Sequence, residues 1–415
     1  MLVEAIHGSP TEEVGAELDI AVTVGLVIAV ALVFDFTNGF HDTANAMAAS
    51  IATGALRPKV AVLISAVLNL VGAFLSTEVA KTVSGGIIRE GDGGVQITPE
   101  LILAGLMGAV VWNFVTWYFG LPSSSSHALF GGLIGAALVG AGIGAVDFGV
   151  VVSKVVLPAL LSPVVAGIIA FTATTVARRI TRNLPASDAG FRRGQTVSAA
   201  LVSLAHGTND AQKTMGVITL VLVAANLQTS GTSPQWWVVI VCGLALALGT
   251  YAGGWRIIRT VGKGITDITA PQGFAADTSS AATILVSSHF GFALSTTQVV
   301  SGSIVGSGLG GANHLVRWRV VGRIALGWLF TLPAAALIGA LAALAASAGD
   351  GGLIAVTVVG VVIIVILVVL ARRRPVTHED ITSDASEEAP AFGAAASTKA
   401  TASTKAASDK KVGTR

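Results

Sequence analysis

The sequence predicts an all-α polytopic membrane protein, built as an inverted-topology repeat with interrupted helices and two re-entrant hairpins. Three observations predict it. Apolar runs of about 20 residues recur along the chain, the length an α-helix needs to cross a bilayer. Charged residues make up only 12% of the 415 residues and the mean hydropathy is +0.78, whereas a soluble domain carries about 25% charge. Two polar motifs return in the same order, about 170 residues apart. Outer-membrane barrels are excluded, because they need alternating runs of about 10 residues. A formal net charge of +2 is no footprint for nucleic acid. The single cysteine, Cys242, excludes a disulfide scaffold and a Cys-based zinc site.

The apolar stretches fall near 19–37, 59–77, 100–120, 127–145, 148–177, 195–225, 235–250, 277–292, 298–313, 322–346 and 352–371. They predict five segments: an extracytoplasmic tail over 1–18, a first membrane repeat over 19–177, a cytoplasmic basic loop over 178–194, a second and inverted repeat over 195–371, and a disordered cytoplasmic tail over 372–415. The first tail carries Glu4, Glu12, Glu13, Glu17 and Asp19 without Lys or Arg, so it lacks the basic start of a secretory signal. The last opens on Arg372–Arg374 and continues as Ala, Ser, Thr and Lys, a composition that cannot bury a core. Basic clusters set the orientation. Arg178, Arg179, Arg182, Arg192 and Arg193 form one. Arg256, Arg259 and Lys263 form a second, Arg317, Arg319 and Arg323 a third, and Arg372–Arg374 a fourth. All are expected in the cytoplasm, with the N-terminus outside.

Stretches 100–120 and 127–145 are joined by Leu-Pro-Ser-Ser-Ser-Ser, without a charge to hold the joint at a surface. Stretches 277–292 and 298–313 are joined at Leu294-Ser295-Thr296-Thr297. Polar joints of this kind predict hairpins that turn inside the membrane, where irregular backbone survives only if buried or lining a cavity.

The repeat is read residue by residue. Gly39-Phe40-His41-Asp42 faces Gly207-Thr208-Asn209-Asp210, and Met47 faces Met215. Ser124-Ser125-Ser126 faces Ser295-Thr296-Thr297, and Gly120, Gly131 and Gly135 face Gly291, Gly302 and Gly306. The first copy starts outside and the second inside, so the copies run in opposite directions. An inverted repeat with paired broken helices points to a secondary transporter whose site lies at the midplane.

Two constellations carry chemistry. The first is Asp35-Phe-Thr-Asn-Gly-Phe-His-Asp-Thr-Ala-Asn45, echoed by His206-Gly-Thr-Asn-Asp210-Ala-Gln-Lys213. An ionisable group at the bilayer centre costs roughly 2.5–3.5 kcal/mol on insertion scales, so such residues persist where they face a partner or an ion path. Gly39 is expected to let the chain unwind there. His41, Asp42, Asn45, Asn209 and Asp210 are the candidate cation-coupling residues, with Lys213 as a charge partner for an aspartate or an anion. A pair of surface helix caps is the bland alternative, and the recurrence of the acid in both copies argues against it. The second constellation is Ser123, Ser124, Ser125 and Ser126 with Ser295, Thr296 and Thr297. Hydroxyls ahead of a helix are ordinary N-caps, and together with the helix amides they also make an anion seat. A Ser/His hydrolase built on His127 is disfavoured, because no third group orients the base and no Gly-x-Ser-x-Gly elbow occurs. A passive anion channel would use the same seat but would need no acid pair.

The segments NGFHDTANAM (38–47), GLPSSSSHALFGG (120–132), AHGTNDAQKTMG (205–216) and GFALSTTQVVSGS (291–303) resemble the inorganic phosphate transporter (PiT) family, over roughly residues 20–370. The resemblance implies a symporter that imports inorganic phosphate with a cation, and no enzyme or enzymatic cofactor. It implies that the motif aspartates and Asn residues serve the cation and that the hairpin hydroxyls bind phosphate. Sodium-coupled relatives commonly read Asn-Asp where this chain has His41-Asp42, and tend to carry a glutamate near Asn69. Both differences favour a co-transported proton over Na⁺, since His titrates near neutral pH. The family's second hairpin usually reads Gly-Leu-Pro-Val-Ser-Thr-Thr-His, and here it is Gly291-Phe-Ala-Leu-Ser-Thr-Thr-Gln298. That departure leaves sulfate as an alternative anion, and a metal–phosphate complex as an alternative cargo. Asp277 falls where relatives often have a glutamate and joins the coupling residues. The expected partners are phosphate and the lipid bilayer, with a homodimer as a candidate assembly.

Overall fold

The computed structural model of the chain describes residues 10–86, 97–182, 188–312, 315–373 and 375–377. The expected end of the C-terminal tail (378–415) and the first nine residues lie outside them. The chain is all-helical, as the apolar runs require. Its helices form one compact unit ending at Pro375.

The helices follow in order. They are α1 (Pro10–Ala52), α2 (Pro58–Gly72), α3 (Glu78–Gly86), α4 (Pro99–Tyr118), α5 (Ser125–Gly140), α6 (Phe148–Val151), α7 (Leu157–Thr181), α8 (Asp188–Ala224), α9 (Trp236–Ala252), α10 (Trp255–Gly264), α11 (Ala270–His289), α12 (Thr296–Gly310), α13 (Trp318–Ala346) and α14 (Asp350–Arg372). A π-turn, Val152–Val156, joins α6 to α7, so Phe148–Thr181 is one span of 34 residues. Five described helical segments are long and apolar enough to cross a membrane. A sixth is formed if α9 and α10, bent by 72°, count as one broken span. The chain is therefore a multi-pass membrane protein.

The two broken pairs sit where the polar joints predict. Helices α5 and α12 have 16 and 15 residues. At 1.5 Å per residue each is about 24 Å or less, too short for a hydrocarbon core of about 30 Å. Each continues from a longer partner, α4 or α11, through a turn at a glycine of positive φ, Gly120 (64°) and Gly291 (70°). Only glycine adopts that backbone without strain.

Helix α1 differs from expectation. It does not unwind at Gly39 but runs unbroken for 43 residues. Gly39 instead allows contact: a methyl group built on it would overlap the Leu246 carbonyl of α9, and one built on Gly249 would overlap the Phe36 carbonyl. The crossing of α2 with α8 repeats this, with Gly72 against Leu204 and Gly207 against Asn69. Gly131 and Gly135 press on Leu332 and Ala336 of α13, and Gly302 and Gly306 press on Pro163 and Gly167 of α7. Each hairpin helix thus packs on a proline-containing span of the other half, which carries Pro163 or Pro333. Small residues let backbones approach where dispersion rather than the hydrophobic effect drives helix association.

Burial follows the same logic. Leu329, Leu337, Ile354 and Val359 on α13 and α14 stay exposed, as lipid-facing residues do. Residues 37–51 of α1 are all buried, which places the first polar motif at the centre of the bundle. Its counterpart α8 fills the same role, and its polar centre keeps it out of the set of apolar spans.

Candidate functional site

Four pieces of backbone converge on one polar centre: the middles of α1 and α8, and the N-termini of α5 and α12. Helix α1 brings His41, Asp42 and Asn45, and α8 brings His206, Asp210 and Lys213, all at most 2% exposed. The long helices are rigid, so acids about 170 residues apart in sequence meet without a loop to position them.

The carboxylates are held by the hairpin hydroxyls. Ser125 Oγ donates to Asp42 Oδ2 at 3.0 Å. Thr297 Oγ1 lies 3.3 Å from Asp42 Oδ1. Thr296 Oγ1 reaches both acids, 3.1 Å from Asp210 Oδ2 and 3.4 Å from Asp42 Oδ2. Asn45 Nδ2 donates to Thr297 Oγ1 at 3.0 Å, and Asn38 Nδ2 approaches Asp210 Oδ2 at 3.5 Å. Ser124 and Ser295 do the capping: their side chains accept from the His127 and Gln298 amides at 3.2 and 3.4 Å. Capping and ligation are therefore divided between neighbouring hydroxyls. Donors that bind carboxylate oxygens are of the type that binds any oxyanion, so the same groups can serve a tetrahedral anion.

A lysine and a histidine also meet the acids, and both touch the first hairpin's hydroxyls as well. Lys213 Nζ pairs with Asp210 Oδ1 and donates to Ser126 Oγ at 2.6 Å and to the Leu294 carbonyl at 2.8 Å. All three ammonium hydrogens have partners, which a buried charge requires. His41 Nδ1 lies 2.8 Å from Asp42 Oδ1, and its Nε2 lies 3.3 Å from both Ser123 Oγ and Thr116 Oγ1.

His206 is the residue that sequence reasoning passed over. Its Nε2 lies 3.0 Å from Asp210 Oδ2 and 4.0 Å from Asp42 Oδ2. Its Nδ1 lies 3.1 Å from Asn69 Oδ1, and Asn69 Nδ2 donates to Thr250 Oγ1 at 2.8 Å. The amide is thereby fixed with its oxygen toward the ring. Nε2 thus faces the two carboxylates, closer to Asp210, without a hydrogen bond to either. The available signal was the four-residue spacing of His206 and Asp210, which puts them on one helix face. Asp42, His206 and Asp210 each offer a ligand atom within 4.8 Å of the others. Carboxylates with an imidazole suit a divalent cation, though Lys213 already engages one Asp210 oxygen.

Two predicted residues lie apart. Asn209 faces the second hairpin, donating to Ser288 Oγ at 2.8 Å and approaching the Phe292 carbonyl at 3.3 Å. Asp277 belongs to a separate buried cluster, where Gln195 Nε2 donates to it at 3.3 Å and Thr53 Oγ1 donates to Gln195 Oε1 at 2.6 Å.

Fold and site together define a multi-pass helical membrane protein with a charged centre shared between two halves of its chain. The model of the phosphate transporter family matches residues 38–189 and 181–339, and the chain belongs to that family. It is 56% identical over 319 residues to a probable low-affinity inorganic phosphate transporter of Mycobacterium leprae (strain TN), covering 76% of each chain. A protein of the same description from Bacillus subtilis (strain 168) is 43% identical over 319 residues, covering 76% of this chain and 95% of that one. These relatives are named as transporters, a non-enzymatic role. Among solved structures, one titled "The sodium-dependent phosphate transporter" superposes with a TM-score of 0.68 at 24% identity, covering 77% of this chain and 98% of that chain. That likeness shows the fold.

Proposed function

We propose that this chain imports inorganic phosphate across the cytoplasmic membrane as a proton-driven symporter. The observation that carries the reading is the meeting of Asp42 and Asp210 on one hydroxyl, Thr296 Oγ1, inside a ring of hairpin donors. Phosphate takes the donors of Ser123–Ser126 and Ser295–Thr297. Asp42, Asp210 and their histidines carry the coupling charge, with Asn45 and Asn209 orienting the site. Asp277 stands one cluster away and serves proton entry or exit. The halves 19–177 and 195–371 have opposite orientations, and the two hairpins turn within the membrane. The basic clusters and the C-terminus face the cytoplasm, and the N-terminus faces outward. Rocking or gating of one half against the other exposes the fixed site to each side in turn. The repeated packing of hairpin helix on proline-containing span supports that division.

Two histidines beside the acids, His41 and His206, support protons as the coupling ion, because an imidazole ring can take up and release a proton. The test is labelled phosphate uptake into proteoliposomes, with a proton or a Na⁺ gradient imposed separately and sulfate as competitor. Uptake driven by the proton gradient and unaffected by sulfate is expected. Uptake that needs Na⁺ overturns the coupling, and uptake that sulfate suppresses overturns the substrate.

A further inference from the structure

Among the positions at which the two halves differ, one exchanges an uncharged side chain for a lysine. Aligning Asp42 with Asp210 sets Asn45 opposite Lys213, and the hairpin alignment sets Ser126 opposite Thr297. The contacts obey the same correspondence. In the second half Lys213 donates to Ser126 of the first hairpin at 2.6 Å while pairing with Asp210. In the first half Asn45 donates to Thr297 of the second hairpin at 3.0 Å, and Thr297 lies against Asp42. The Lys213 ammonium is surrounded by a carboxylate oxygen, a hydroxyl and the Leu294 carbonyl. That all-oxygen shell is what a hard monovalent or divalent cation takes.

The first half has no lysine at this place, and Asp42 is met instead by the His41 ring at 2.8 Å. There the equivalent residue is Asn45, whose Nδ2 donates to Thr297, and Thr297 lies against Asp42. Asn45 is 2% exposed and its Oδ1 has no hydrogen-bond partner, an expensive arrangement for a buried carbonyl. Its amide nitrogen is committed to Thr297, so the oxygen remains free to ligate.

We infer that Lys213 is a built-in cation, filling in the second half the place that an exchangeable cation takes beside Asp42, Asn45 and Thr297 in the first. The inference rests on the symport reading and fixes its stoichiometry: one exchangeable cation per phosphate rather than two.

The test is Lys213→Asn, which copies the first-half residue into the second, with Na⁺ as the probe. Wild-type and variant are purified, and the unfolding midpoint is followed as Na⁺ replaces a bulky organic cation at constant ionic strength. Phosphate uptake is measured in parallel. The variant is expected to gain a Na⁺-dependent rise in midpoint of several degrees beyond the wild type, as ligand binding to the folded state requires. Its uptake is expected to become Na⁺-stimulated at least threefold over its own Na⁺-free rate. A gained midpoint shift without uptake still supports the cation site. No gain in either readout overturns the inference. Should Lys213→Asn not fold, the wild type decides: its uptake should rise with a Hill coefficient of about 1 in the driving cation, and a coefficient near 2 overturns it. Failure of the symport reading shows differently, as absence of gradient-driven phosphate uptake in the wild type itself.

Discussion

The two halves of the molecule use the same backbone devices but different side chains. Gly39 against α9 and Gly72 against α2's partner α8 make one crossing twice, and Gly120 and Gly291 make one turn twice. At the centre the halves diverge. The first presents His41, Asp42 and Asn45, and the second Asn209, Asp210 and Lys213. His41 touches its own half's acid, whereas His206 lies nearest Asp210 and within 4.0 Å of Asp42. The glycine crossings are bound by close packing, while the residues at the charged centre differ from one half of the chain to the other.

The largest effect should come from breaking the shared backbone device. Gly39→Leu and Gly207→Leu force a side chain into a neighbouring carbonyl, and overpacking of this kind costs roughly 1–3 kcal/mol or more. Both are expected to remove folded protein from the membrane, measured as monodisperse material after extraction. A variant that extracts normally would show the crossings to be looser than described.

The next effect separates the halves. His206→Leu removes the ring that faces both acids and leaves Asn69 Oδ1 unpaired. Gradient-driven uptake should fall by about 100-fold, roughly 2.7 kcal/mol of lost transition-state stabilisation. His41→Leu should cost less, because Ser125 and Thr297 still hold Asp42. Equal losses would erase the division of labour between the two rings.

Thr296→Val removes the one hydroxyl among the described residues that reaches both acids, while keeping the shape. A loss of about 10-fold in uptake is expected, the scale of one charge-assisted hydrogen bond. Ser295→Ala removes only a cap, whose loss costs about 1 kcal/mol of stability, and should change the unfolding midpoint more than the uptake rate. The smallest effect belongs to Asp277→Asn, which keeps the Gln195 hydrogen bond. It should slow proton-driven uptake a few-fold and leave phosphate exchange at equal pH unchanged.

Much of this was legible in the sequence because it depended on spacing. The apolar runs gave the spans, the polar joints gave the breaks, and the repeated acid gave the centre. Two features were not legible. Whether Gly39 unwinds a helix or admits a neighbour depends on what lies opposite, and Leu246 is far away in sequence. His206 and Asn69 share one hydrogen bond across 137 positions, which no local pattern encodes. The hydroxyls were predicted as an anion seat, and the fold places them against the two acids, because the hairpin tips reach the middles of α1 and α8.

The central claim is that Asp42 and Asp210, one from each half, act on a single transported unit. The direct measurement is phosphate accumulation in proteoliposomes under an imposed proton gradient by Asp42→Asn, Asp210→Asn and the double variant, each reconstituted at equal amounts of folded protein. The account predicts that each single variant abolishes accumulation as completely as the double. Accumulation at the wild-type rate by either single variant would contradict it.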